Sequence, residues 1–296
     1  MKIPQGGIAF FDSGIGGLTV LEECRKRLPQ ENLYYYGDNL RAPYGNLSLE
    51  TIRSYVSSAF ELFLTLRVKA AVIACNTVTA VCAEELRVKY PFPIIGAEPA
   101  ILSAARRGGR VFVLTTRATY QSNRFQALCQ KASARFPSAE IFAFPCDALA
   151  GEIERRLSDK RYDFTQFLPK GKADAVVLGC THYIYIKETI QNFYGCEVYD
   201  GNQGIAKRLQ SVLSSDKRWD ERPLFYNGDA KIGESAPESP HLTTEEKTRQ
   251  NTNVCLCEKS EKTAKNDLKQ GGGEIFFLGN GKKINKNIHE QMFVLN

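Results

Sequence analysis

The sequence has no apolar run long enough to cross a bilayer. Its longest, such as residues 70–75 and 175–178, fall far below the ~20 residues that a spanning helix needs. The apolar stretch at 8–11, behind Met1-Lys2-Ile3-Pro4, is too short for a secretory core, so a cytoplasmic protein without a membrane partner is expected. No C-x-x-C pair occurs, and the nine cysteines are an odd number without a repeated spacing, which speaks against a disulfide framework. Histidine is scarce. His182, His241 and His289 are the only three and none stands near two cysteines, so no metal site is expected, and Cys255-x-Cys257 alone does not make one. Charge of one sign is not gathered anywhere: 39 basic and 33 acidic residues leave +6 spread along the chain, without the basic stripe of a nucleic-acid-binding protein. The dinucleotide fingerprint G-x-G-x-x-G and the P-loop lysine are missing as well.

What is present is enough apolar residue, 43% of 296, to build two cores of ordinary size. Short β-branched runs at 8–11, 33–36, 70–74, 94–95, 111–114, 141–144, 175–178 and 198–199 alternate with amphipathic stretches such as 18–27, 49–66 and 77–89. That alternation predicts an α/β fold with parallel sheets. The run Ala70-Ala71-Val72-Ile73-Ala74-Cys75 aligns with Ala175-Val176-Val177-Leu178-Gly179-Cys180. The strand end at Asp12-Ser13 likewise aligns with Thr115-Thr116, and residues 94–101 with 198–205. A period of about 105 residues predicts two pseudo-symmetric, doubly wound, mainly parallel domains facing one another across the site. Turn residues near 96–99 and 201–204 divide the chain into a first domain, 1–97 with 205–296, and a second, 98–204. Residues 231–273 contain no aromatic residue, and their seven acidic and seven basic side chains cancel, so a flexible insertion is expected there. The run Glu274-Ile275-Phe276-Phe277-Leu278-Gly279 then supplies a closing strand or helix start that returns to the first domain.

In parallel sheets ligands meet the carboxyl ends of the strands. The turn Asp12-Ser13-Gly14-Ile15-Gly16-Gly17 ends one strand and opens a helix, so its backbone N–H groups are expected to meet an anion, with Asp12 ahead of them for an ammonium group or a thiol. Cys75-Asn76-Thr77 ends another strand, and the helix dipole there is expected to lower the thiol pKa. Cys180-Thr181-His182 stands at the equivalent end of the second half, with His182 in reach to exchange a proton. Cys24, Cys82, Cys129, Cys146 and Cys196 have no such pairing and read as packing residues. Two opposed thiols suit disulfide redox or stereochemical inversion at an acidic carbon. The flanks lack redox geometry, whereas inversion needs an acid/base group on each of two facing walls.

Six stretches in order resemble the glutamate racemases: Phe11-Asp12-Ser13-Gly14-Ile15-Gly16-Gly17-Leu18, Tyr36-Gly37-Asp38, Pro43-Tyr44-Gly45, Ala74-Cys75-Asn76-Thr77, Gly96-Ala97-Glu98-Pro99-Ala100 and Gly179-Cys180-Thr181-His182-Tyr183. The resemblance implies a homodimeric isomerase with no pyridoxal phosphate or other cofactor, making D-glutamate for peptidoglycan. It implies Cys75 and Cys180 as the two acid/base residues, Asp12 assisting the first and His182 the second. It further implies that Ser13, Tyr44, Gly45, Asn76, Thr77 and Thr181 hold the substrate. A family glutamate in the second domain matches Glu154, with Glu152 as the alternative, and Ile184 stands where the family has proline. An aspartate racemase with the same two-cysteine plan, or a non-catalytic partner-binding protein that has kept the fold, are the competing expectations.

Overall fold

A computed structural model of the chain describes residues 6–215 and 275–278. The segment 231–273, together with His241, His289, Cys255 and Cys257, lies outside the described residues. The first half runs β1 (Ile8–Asp12), α1 (Leu18–Arg27), β2 (Leu33–Gly37), α2 (Leu49–Thr65), β3 (Ala70–Ile73), α3 (Asn76–Lys89) and β4 (Ile94–Gly96). The second runs α4 (Ile101–Ala105), β5 (Gly109–Thr115), α5 (Arg117–Gln121), α6 (Asn123–Arg135), β6 (Ala139–Pro145), α7 (Leu149–Arg156), β7 (Ala175–Gly179), α8 (Lys187–Tyr194) and β8 (Glu197–Tyr199). The chain then turns back through α9 (Asn202–Ser215), and β9 (Ile275–Leu278) joins the edge of the first sheet.

All pairings among the described strands are parallel, in two sheets ordered β4-β3-β1-β2-β9 and β6-β5-β7-β8. Reversed, the second order is β8-β7-β5-β6, the same arrangement as β4-β3-β1-β2. The two halves of the sequence repeat therefore share a strand order, and among the described strands β9 is the one without a counterpart. Every expected strand forms, and β1, β2, β3, β7 and most of β5 are apolar runs buried on both faces of a helix-covered sheet, while the edge strands β6 and β8 are partly exposed. Alternate residues of one strand feed opposite cores. Ala9 and Phe11 of β1 face α2 and α3, while Ile8 and Phe10 face α1 and α9.

Two connections carry the chain between the sheets, after β4 and after β8, and they run side by side. A Cβ added to Gly201 would lie 2.7 Å from the Glu98 carbonyl oxygen. Asn202, at the start of α9, donates to Thr19 Oγ1 of α1 at 3.0 Å and fixes where the returning helix docks. No helix among the described residues is long and apolar enough to cross a membrane.

The first core centres on Phe60 of α2, which is fully buried among the rings of Phe11, Phe63, Tyr90 and Phe92. Phe60→Ala is expected to destabilise the protein by about 3–5 kcal/mol, since it leaves a cavity that rigid neighbours cannot fill. Urea unfolding of the two proteins measures this, and a loss under about 1 kcal/mol contradicts the packing described.

Candidate active site

The four central strands of the two sheets, β1, β3, β5 and β7, end at Asp12-Ser13, Ala74-Cys75, Thr115-Thr116 and Gly179-Cys180. These ends meet where the halves face each other. Residues 12–17 pack against the second half so closely that no side chain fits at two positions. A Cβ on Gly14 would lie 2.3 Å from Glu154 Oε1 and 2.9 Å from His182 Nε2, and one on Gly16 would lie 2.4 Å from Thr181 Oγ1. Glycine is required there by approach, with no need for unusual backbone angles.

The turn was expected to offer its N–H groups to an incoming anion, but the protein's own carboxylates take several of them. Asp12 Oδ2 accepts from the amides of Gly17 at 2.9 Å and Gly14 at 3.3 Å, and Glu154 Oε1 accepts from the Ile15 amide at 3.4 Å. The other Asp12 oxygen accepts from Thr181 Oγ1 at 3.3 Å, a bond between the halves. Burial holds the Asp12 carboxyl above its ordinary value, against the pull of His182 and of the Gly17 and Gly14 amides.

Cys75 caps the N-terminus of α3, which begins one residue earlier than the sequence suggested, and its sulfur lies 3.6 Å from Ser13 Oγ. Its electrostatics reverse the expectation of a lowered pKa. Burial, reinforced by the Asp12 carboxylate, pushes the thiol up to about 12, and the Val78 amide and Ser13 hydroxyl only partly oppose this. Desolvation disfavours a thiolate more strongly than one helix end favours it. A charge on Cys180 would raise Cys75 further.

Cys180 ends β7, and a short 3-10 helix over Thr181–Ile186 folds His182 back beside it. The ring of His182 is a bridge: Nδ1 is 3.6 Å from Cys180 Sγ and Nε2 is 2.6 Å from Glu154 Oε1. Burial works against the imidazolium, but these two hydrogen-bonded partners outweigh it and hold the His182 pKa well above its usual value. Glu154 is thus the carboxylate of this cluster. Glu152, its alternative in the sequence, turns to Arg155 and to the Tyr162 hydroxyl at 2.8 Å. Ile184, in place of proline, lies within the 3-10 helix, which runs on into α8.

The remaining expected residues have partners of their own. Thr77 Oγ1 is 2.9 Å from Thr116 Oγ1, and a Cβ on Gly45 would lie 3.1 Å from Thr116. The Tyr44 hydroxyl donates to the buried Asp38 carboxylate, which also pairs with Arg41 at 2.9 Å. Asn76 and Thr181 line a cavity with Cys180, Ala74, Glu98 and Asp200. Its volume is about 10 Å³, room for about one water molecule. Both cysteines are buried, at 5% and 8% exposure. Thr116 is the residue that the sequence argument missed, although the repeat had aligned it with Ser13. Among the other thiols, Cys24, Cys82 and Cys146 pack in apolar clusters, while Cys129 and Cys196 are half-buried. No three His, Cys, Asp or Glu side chains converge as a metal-ligand set among the described residues.

The raised Cys75 pKa sets an alkaline limit. The folded thiol binds its proton more tightly than the unfolded one, with its ordinary value of 9.0, so its stabilising contribution is complete below about pH 9 and falls away as the pH climbs towards 12. The thiolate absorbance of the parent minus that of Cys75→Ser is expected to stay flat to about pH 10 in the folded protein. A difference signal titrating near pH 8 would contradict the burial argument.

Residues 18–209 match the family model described as Asp/Glu/Hydantoin racemase. A glutamate racemase of Pseudomonas aeruginosa is 39% identical over 245 residues, covering 78% of this chain and 88% of the relative. Among solved structures, glutamate racemase of Escherichia coli, in complex with L-glutamate and the activator UDP-MurNAc-ala, superposes with a TM-score of 0.63 at 32% identity, over 72% of this chain and 84% of that one. A glutamate racemase isoform from Bacillus anthracis gives 0.61 at 32% identity, over 72% and 83%. With its paired parallel sheets and the strand-end residues brought together between them, the chain belongs to the glutamate racemases of the Asp/Glu/hydantoin racemase family.

Proposed function

We propose that this chain interconverts L- and D-glutamate without a cofactor, using Cys75 and Cys180 as a pair of bases on opposite faces of the α-carbon. The observation that carries this reading is the placement of two sulfurs at equivalent strand ends of two matching halves, each with its own polar partner, Ser13 Oγ or His182 Nδ1. In either direction one sulfur, as thiolate, takes the α-proton, and the electron pair of the broken C–H bond stays on the carbanion. The opposite S–H delivers its proton to the other face, leaving that sulfur as thiolate and the configuration inverted.

Several features support the division of labour. The buried Cys75 thiol is reluctant to ionise, and the ammonium group of a bound amino acid supplies the nearby positive charge that favours its thiolate. Beside Cys180, His182 is held towards its cationic form by Glu154, so it can return or withdraw a proton at that sulfur. The hydroxyls of Ser13, Thr77 and Thr181, the Asn76 amide and the Tyr44-Gly45 turn surround the region where two carboxylates and an ammonium group would bind. Each well-aimed donor to the developing charge is worth on the order of 3–4 kcal/mol. Parting and reclosing of the halves would let glutamate enter and then exclude water. The D-glutamate formed would serve peptidoglycan synthesis, the role general to this family.

Incubation with L-glutamate or L-aspartate in deuterated water tests the proposal. The expected result is inversion of glutamate with one solvent deuteron in each product molecule and little reaction of aspartate. Cys75→Ala and Cys180→Ala should each lose inversion by about three orders of magnitude or more while keeping the parent circular dichroism. Racemisation at near the parent rate by either variant would sink the two-base assignment.

A further inference from the structure

Ile15 lies in the glycine turn of the first half, and side chains of the second half hold both of its backbone groups. Its amide donates to Glu154 Oε1 at 3.4 Å, and its carbonyl accepts from the Tyr185 hydroxyl at 2.8 Å in addition to the Leu18 amide at 3.1 Å. Glu154 Oε1 is also the partner of His182 Nε2. The peptide just beyond Asp12-Ser13, on the Cys75 side, is in this way tied to the histidine beside Cys180. From the first half, Tyr35 donates to the neighbouring Gly14 carbonyl at 2.7 Å, so the turn is gripped from both directions.

Tyr185 is built for this position. It sits in the same 3-10 helix as Thr181 and His182, and its ring packs against apolar clusters of both halves. Burial, with Asp12 and Glu154 close by, raises its pKa and keeps the hydroxyl a neutral donor. The resemblance read from the sequence assigned this residue no role, and it lies two residues beyond Tyr183, where the matching motif stops.

We propose that Tyr185 is a positioning residue, which through the Ile15 carbonyl sets the spacing of the Cys75 wall from the Cys180 wall when the halves close on substrate. This rests on the racemase reading above. Positioning acts on turnover: a base displaced by a fraction of an ångström loses proton transfer before it loses binding.

The test is Tyr185→Phe, which keeps the ring and deletes the donor. The expected result is a fall in kcat of about tenfold with KM changed less than about threefold, and faster hydrogen–deuterium exchange over residues 12–18 with the parent thermal midpoint kept. Adding Glu154→Gln, which weakens the grip on the other side of Ile15, should cost less than the product of the two single losses. An unchanged kcat in Tyr185→Phe overturns the proposal, as does a loss of activity that merely follows a lowered thermal midpoint. If the parent itself fails to racemise glutamate, the racemase reading falls and takes the catalytic role of Tyr185 with it. Unchanged exchange over 12–18 overturns the tie whether or not the parent is active.

Discussion

Close approach between the glycine turn at residues 12–17 and the second half is the constraint on which the site depends. With no space for a side chain at Gly14 or Gly16, the Asp12 carboxylate reaches Thr181 and the Ile15 amide reaches Glu154. A bulkier turn would hold the halves apart and break the bonds from Thr181 to Asp12 and from the Ile15 amide to Glu154. The glycines therefore act by approach, allowing the two halves to share one set of hydrogen bonds.

The same closeness dries the site, and dryness decides its electrostatics. Helix α3 points its N-terminus at Cys75, yet burial and the Asp12 carboxylate outweigh that partial charge, and the thiol stays protonated. At His182 the balance tips the other way, because partners on both ring nitrogens compensate the imidazolium for its lost hydration. Burial thus keeps the sulfur uncharged on one wall, while on the other Cys180 and Glu154 hold the imidazole charged against it.

Much of this was legible in the sequence. Strand positions followed from β-branched runs, and the repeat of residues 70–75 at 175–180 announced two matching sheets, because a buried parallel strand has little freedom in composition. The motif residues Asp12, Cys75, Cys180 and His182 were found because their chemistry sits at strand ends. Three things were hidden for one reason: they depend on side-chain contacts that form only in the folded chain. The direction of the Cys75 shift needs the depth of burial, the choice of Glu154 over Glu152 needs the face of α7 that meets His182, and the turn's occupied N–H groups need Asp12 folded back on them. Thr116 was visible in the repeat, but only its distance to Thr77 marks it as part of the site.

The two walls are copies in strand order but not in the residues that serve their sulfurs, a hydroxyl at Cys75 and an imidazole with its carboxylate at Cys180. Mirror-image amino acids have equal free energy in water, so for the proposed reaction thermodynamics forces the same kcat/KM in both directions, however unequal the walls. The asymmetry can surface only in how each direction divides that common efficiency. The enantiomer whose proton leaves more readily should turn over faster and, in strict proportion, saturate the enzyme at higher concentration.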